Sequence, residues 1–126
     1  MILKINLAQK ITGELLVLNN LLMMIDSFKS LFAPDNTDYA QLIKDGAVIL
    51  DVRSREEYAS GHIQGSVNIS VDTLKGNLHL LKNKDKPIIT YCAAGIRSAT
   101  AMRLLKANGY TAVYDGGSLS SLSSKI

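Results

Sequence analysis

The chain has 126 residues, 47% of them apolar and 20% charged, with a formal net charge of +3. That length can bury one core without staples, and so modest a positive balance does not suggest nucleic acid as a partner. A single cysteine, Cys92, excludes an internal disulfide, and with only His62 and His79 to help it a cysteine-based zinc site is not expected.

Lys4 and Lys10 precede an apolar run, Leu15 to Ile25, that has the outline of a signal peptide. Asn19-Asn20 interrupt it and no small-residue cleavage site follows. The run is too short to span a bilayer, so no integral membrane span is expected. Leu15, Leu18, Leu22, Ile25 and Phe28 or Phe32 recur at helical spacing. Three readings stay open: a helix packed on the domain or on a second copy, a helix on a membrane surface, or an extension ahead of a natural start at Met23 or Met24. Residues 1–33 are thus expected to be an apolar extension, helical or unstructured. Ala33-Pro34-Asp35-Asn36 is a break, and residues 34–126 are expected to form the compact domain.

Within that domain Thr37 is a candidate cap for a short helix, Asp38 to Lys44, ended by Gly46. Ala47 to Val52 is a continuous apolar run of strand length and reads as a buried parallel strand. Ser54 caps a helix with Glu56 and Glu57 in its first turn, where the dipole favours them, and Gly61 stops it. Ser66 to Ile69 reads as a short strand. Asp72 to Leu81 reads as a helix with Leu74, Leu78 and Leu81 on one face. Pro87 to Cys92 is a second buried strand. Ile96 to Asn108 is the strongest helix, with Met102, Leu104 and Leu105 inward and Gly109 as its stop. Thr111 to Tyr114 is a last strand, after which Asp115-Gly116-Gly117 turns into a loosely held serine-rich tail, Ser118 to Ser124. Alternating strands and helices predict an α/β domain with a mainly parallel central sheet and helices on both faces.

Cys92 ends the second buried strand and opens Cys92-Ala93-Ala94-Gly95-Ile96-Arg97-Ser98, which leads straight into a helix. A lone cysteine is most often a small buried hydrophobe. Here free backbone amides and a helix dipole favour an anion at that point, and Arg97 adds a permanent charge. A thiolate so placed has a depressed pKa and is a good nucleophile. Ligands of parallel sheets bind beyond the carboxyl ends of strands, where Asp51 and Cys92 both fall. Asp51 and Arg53 read as a pair that ties down neighbouring loops, His62 as a hydrogen-bonded structural residue, and Glu57 as its neighbour. His79 reads as a surface residue. A free thiol suits a reducing compartment, so a cytoplasmic location is expected, with export or membrane association left open.

Asp51-Val52-Arg53, Glu56-Glu57-Tyr58, the run Gly61 to Ile69, the loop Cys92 to Ser98, and Asp115-Gly116-Gly117 occur in the order seen in rhodanese-like domains. Over residues 37–118 the chain resembles that family. The resemblance implies a rhodanese-like fold and a thiosulfate sulfurtransferase type of enzyme without cofactor or metal. Cys92 would take a sulfane sulfur from a small anionic donor and pass it to cyanide or a thiol, including a protein thiol. Ala93, Ala94, Gly95, Ile96, Arg97 and Ser98 would bind the sulfur and its donor: the loop amides as an anion nest, Arg97 holding the donor or closing the loop, Ser98 as a cap with a hydroxyl nearby. The alternative is a persulfide carrier or thiol sensor on the same fold. Four residues separate Cys92 from Arg97; the related phosphatases have a loop one residue longer, so phosphatase activity is not expected. The family often has a tryptophan soon after the Gly-Gly pair; with none in this chain, Leu119 or Leu122 must fill that space.

Overall fold

The two apolar runs pair with each other and form the centre of the domain. The computed structural model describes residues 7–30 and 35–126; Phe32 and Ala33-Pro34 of the expected break lie outside them. The chain divides into two units, Met1–Asn36 and Thr37–Ile126. In the first, Leu7–Ser30 is one helix (α1) that runs unbroken through Asn19-Asn20. Among the described residues no helix is long and apolar enough to cross a membrane.

The second unit contains α2 (Tyr39–Lys44), β1 (Val48–Asp51), α3 (Arg55–Ala59), β2 (Val67–Asn68), α4 (Val71–Leu74), β3 (Ile88–Cys92), α5 (Ile96–Ala107), β4 (Val113–Ser118) and α6 (Leu119–Ser123). The strands form one parallel sheet in the order β2-β1-β3-β4. The expected α/β fold is the one the chain adopts. Asp51 lies opposite Tyr91, so the carboxyl ends of β1 and β3 are level. Burial is continuous along β3, as a parallel strand covered on both faces requires. One face packs Leu50, Val52, Leu74, Ile88, Ala101 and Leu105 together. The other packs Tyr39, Ile49, Ile63, Ile89, Tyr91 and Leu122.

Several local expectations need correction. Asp38, not Thr37, caps α2, its carboxylate accepting from the Gln41 amide. The helix expected over Asp72 to Leu81 breaks after one turn into a 3-10 stretch, Lys75–Leu80, with Asn77 at a non-helical φ of −121°. Gly76 and Asn77 are poor helix formers, and the Asn77 side chain donates to the Thr73 carbonyl in competition with the backbone. Inward positions on α5 are led by Ser98, Ala101 and Leu105, while Met102 and Leu104 are only partly covered. The chain does not turn at Asp115-Gly116-Gly117: β4 continues through them to Ser118. The serine-rich tail is then ordered as α6, capped by the Ser118 hydroxyl and anchored by fully buried Leu122. Leu122 and Leu119 both pack in the second cluster.

A buried ion pair fixes the end of β1. Arg53 Nη2 lies 2.7 Å from Asp51 Oδ2, and the two residues are 5% and 0% exposed. The Arg53 backbone amide also donates to Asp51 Oδ1 at 2.9 Å. The guanidinium donates onward to the Gly61 carbonyl at 2.6 Å and lies over the Tyr91 ring. Asn68 on β2 donates to the carbonyls of Asp51 and Arg53. The pair does tie neighbouring segments together.

Removing Arg53 would leave a buried, uncompensated carboxylate. Arg53→Ala is expected to cost about 3–5 kcal/mol in urea unfolding. Gly116 is limited by space: a Cβ there would stand 2.8 Å from the Thr90 carbonyl oxygen and 3.0 Å from side-chain carbons of Ile89 and Leu122. Gly116→Ala is expected to lower stability by about 1–3 kcal/mol in the same measurement.

Candidate active site

Cys92 is the last residue of β3, and α5 starts four residues later. The connection must reverse sharply, and Gly95 does this with φ of +93°, in the left-handed region where a side chain would be strained. That turn aims the Gly95 amide at the sulfur, 3.0 Å from Cys92 Sγ. The Ser98 amide lies in the first turn of α5, where the helix offers it no carbonyl partner, and it too favours an anionic Cys92. Cys92 is a free thiol, only 1% exposed, and shares the core with Val52 and Ile69.

Two influences oppose each other on this thiol. Burial pushes it up. The Ser98 and Gly95 amides, the Ser98 hydroxyl and the Ala94 amide push it down, and they prevail. The net lowering separates Cys92 from an inert core cysteine. It comes from neutral dipoles, in keeping with an anion nest.

Ser98 does not cap the helix; Gly95 holds that position. Its hydroxyl lies 2.9 Å from the Gly95 carbonyl and 2.7 Å from Asp115 Oδ1. Asp115 Oδ1 also accepts from the Gly117 amide, and the Asp115 carbonyl accepts from the Tyr39 hydroxyl. Thr90 donates to the Ser98 carbonyl from within β3. Asp115 and Thr90 therefore buttress the loop, and sequence reasoning missed both. Asp115 looked like a turn residue beside two glycines; only the length of β4 brings it beneath the loop.

Ala93 and Ala94 are exposed and bring no charge to the mouth of the loop, and Ile96 is also exposed. Arg97 is near enough to Cys92 to feel its charge. Its guanidinium, however, meets Glu57: Nη1 is 2.6 Å from Oε1 and Nη2 is 3.0 Å from Oε2. Glu57 sits in the first turn of α3, where its carboxylate accepts from the Ser54 amide while the Ser54 hydroxyl accepts from the Glu57 amide. The Arg97 hydrogen bond, followed by that of the Ser54 amide, lowers Glu57 to about 2. Glu57 is thus a partner of Arg97 and not of His62. His62 stacks on Tyr58 with ring centroids 3.7 Å apart, and its Nδ1 lies 2.8 Å from the Tyr58 carbonyl oxygen. Among the described residues no group of three or more His, Cys, Asp or Glu is placed to hold a metal.

Residues 35–120 match the rhodanese-like domain family. A tRNA uridine(34) hydroxylase of Erwinia tasmaniensis is 36% identical over 85 residues, which is 62% of this chain and only 24% of that protein's length. Among solved structures, a rhodanese with anions from E. coli is 31% identical with a TM-score of 0.56, covering 60% of this chain and 91% of its own. The human single-domain sulfurtransferase TSTD1 is 28% identical with a TM-score of 0.58, over 69% of this chain and 90% of its own. Fold, motif order and these likenesses agree: the chain belongs to the rhodanese-like domain family.

Proposed function

We propose that this chain is a sulfurtransferase that carries a sulfane sulfur as a persulfide on Cys92. The observation that carries this reading is the Gly95 amide 3.0 Å from Cys92 Sγ at the entrance to α5. Donors held in that position stabilise a sulfur anion before it reacts and require no reorganisation when it does. The family membership and the likeness to a single-domain sulfurtransferase support it.

In the first half-reaction the Cys92 thiolate attacks the outer sulfur of a donor such as thiosulfate. One S–S bond forms on Cys92 as the donor's S–S bond breaks, and sulfite leaves with the electron pair. In the second half-reaction cyanide or a thiolate attacks the terminal sulfur of the persulfide and restores the Cys92 thiolate. The amides of Ala94, Gly95 and Ser98 serve the sulfur anion at the start and the end of the cycle. The loop amides favour the thiolate over the thiol, which lessens the demand for a base. We place Arg97 at the mouth of the loop, toward the donor.

Incubation with thiosulfate is expected to add the mass of one sulfur atom to the Cys92 peptide. Cys92→Ser is expected to abolish both that adduct and thiocyanate formation while keeping the fold. Thiocyanate formation persisting in the serine variant would remove Cys92 from the reaction. Loading without repeated turnover would favour a carrier that hands its sulfur to a protein partner.

The lowered thiol also sets a pH dependence. Alkylation by iodoacetamide is expected to have a midpoint below the free-cysteine value of about 8.5. Because the folded-state value is depressed, the thiolate stabilises the fold fully above about 8.5, and this contribution is lost as pH falls through the folded value. Urea melts of wild type and Cys92→Ser are therefore expected to diverge in favour of wild type as pH rises.

A further inference from the structure

The Arg97–Glu57 contact is a two-point pairing of planar groups, and it leaves no net charge between them. Both side chains are a little over one third exposed, so the pair adds little to stability. Its effect on an arriving anion is larger. With Ala93 and Ala94 beside it, the mouth of the loop offers a dianion no uncompensated cation from this set of side chains.

A cleft of about 440 Å³ opens beside the same guanidinium. Val52 and Arg97 line it; Val52 follows Asp51, which lies opposite Tyr91, so Val52 is level with Cys92 on the neighbouring strand, although Cys92 itself is not part of the lining. Around it stand Arg55 and Arg97, of one sign, and Glu56 and Asp72, of the other. A space of this size fits a small organic molecule and exceeds what an inorganic anion fills. Its paired charges suit a body that carries both an ammonium and a carboxylate.

We infer that Glu57 sets the donor class: by pairing with Arg97 it turns the site away from thiosulfate and toward a low-molecular-weight organic persulfide, whose zwitterionic body lies in the cleft between Arg55 and Asp72. This rests on the sulfurtransferase reading above. With such a donor, R–S–S–H, the Cys92 thiolate attacks the outer sulfur. The S–S bond breaks, R–S⁻ leaves with the electron pair, and the proton stays on the transferred sulfur as Cys92–S–S–H. One S–S bond replaces another, so no oxidant or reductant is consumed.

The test compares thiosulfate with glutathione persulfide on the full chain, reading the sulfur adduct on Cys92 by mass and kcat and KM by turnover. Wild type is expected to favour glutathione persulfide in kcat/KM by about tenfold or more. Glu57→Gln retains an acceptor for the Ser54 amide and is expected to narrow that ratio about tenfold, through a lower KM for thiosulfate. Glu57→Asp keeps the charge and is expected to keep the wild-type preference. Asp72→Asn is expected to raise KM for glutathione persulfide more than KM for thiosulfate. Ala94→Lys adds a cation at an exposed position outside the α3 cap. It is expected to shift the ratio as Glu57→Gln does, and it decides the matter should the glutamine variant not fold. Thiosulfate as the better wild-type donor, or a ratio moved by neither Glu57→Gln nor Ala94→Lys, overturns the donor assignment and leaves persulfide chemistry on Cys92 standing. Loading by neither donor overturns both.

Discussion

The buried pair of Asp51 and Arg53 is the constraint on which the rest of this end of the sheet depends. Burying two charges costs several kcal/mol per ion unless their hydrogen bonds are filled. Here they are filled by neighbours on different segments. The carboxylate accepts from the Arg53 amide and guanidinium, and the guanidinium reaches the Gly61 carbonyl. Tyr91, beneath the guanidinium, accepts from the Ile63 amide through its hydroxyl. Moving any of β1, β3 or the segment after α3 would leave one of these groups unmatched. The next residue after Tyr91 is Cys92, so the cysteine loop starts from a fixed point. The pair's value is thus in position more than in stability, since hydrophobic replacements of such pairs can be equally stable.

From that fixed point the loop stabilises a sulfur anion mainly with dipoles. For the persulfide cycle proposed above, this suits a group that receives a sulfur and then surrenders it. A thiolate held too strongly by a direct cation would attack poorly, because nucleophilicity falls with pKa. One left in an apolar core without donors would remain a thiol. Burial of Cys92 and the amides around it push in opposite directions, and the amides win. The braces beneath the loop, Asp115 to Ser98 and Thr90 to the Ser98 carbonyl, hold the Ser98 end of that loop in place.

What the sequence revealed was local. The apolar runs that became β1 and β3, the Ser54 cap with Glu57 in the first turn of α3, and the strand–cysteine–glycine–helix connection could all be read from spacing. The α5 stop at Gly109 was legible for the same reason. What escaped depends on contacts between distant residues. Asp115-Gly116-Gly117 has the composition of a turn, yet β4 runs through it, and Gly116 is suited to its place there because Thr90, Ile89 and Leu122 leave no room for a side chain. The serine-rich tail lacks a strong periodic pattern, yet Leu122, with Leu119 beside it and the Ser118 cap, orders it against the core. The Arg97–Glu57 pair joins residues forty positions apart, which no local pattern encodes.

That pair also changes what α3 is for. Glu57 would be expected in the first turn of any capped helix, where the dipole and the Ser54 amide reward a carboxylate. The same carboxylate reaches across to the cysteine loop, so one residue both helps cap the start of α3 and neutralises the Arg97 guanidinium. Helix capping and site charge are therefore coupled. A substitution chosen only to strengthen or weaken the cap changes the field at the loop mouth, and a substitution at Arg97 releases a carboxylate beside it. Arg97 removed alone would thus leave the mouth of the site more negative than removal of the pair, and the two changes are not additive. The charge at the mouth of the cysteine loop is a property of the Glu57–Arg97 unit and cannot be assigned to either residue alone.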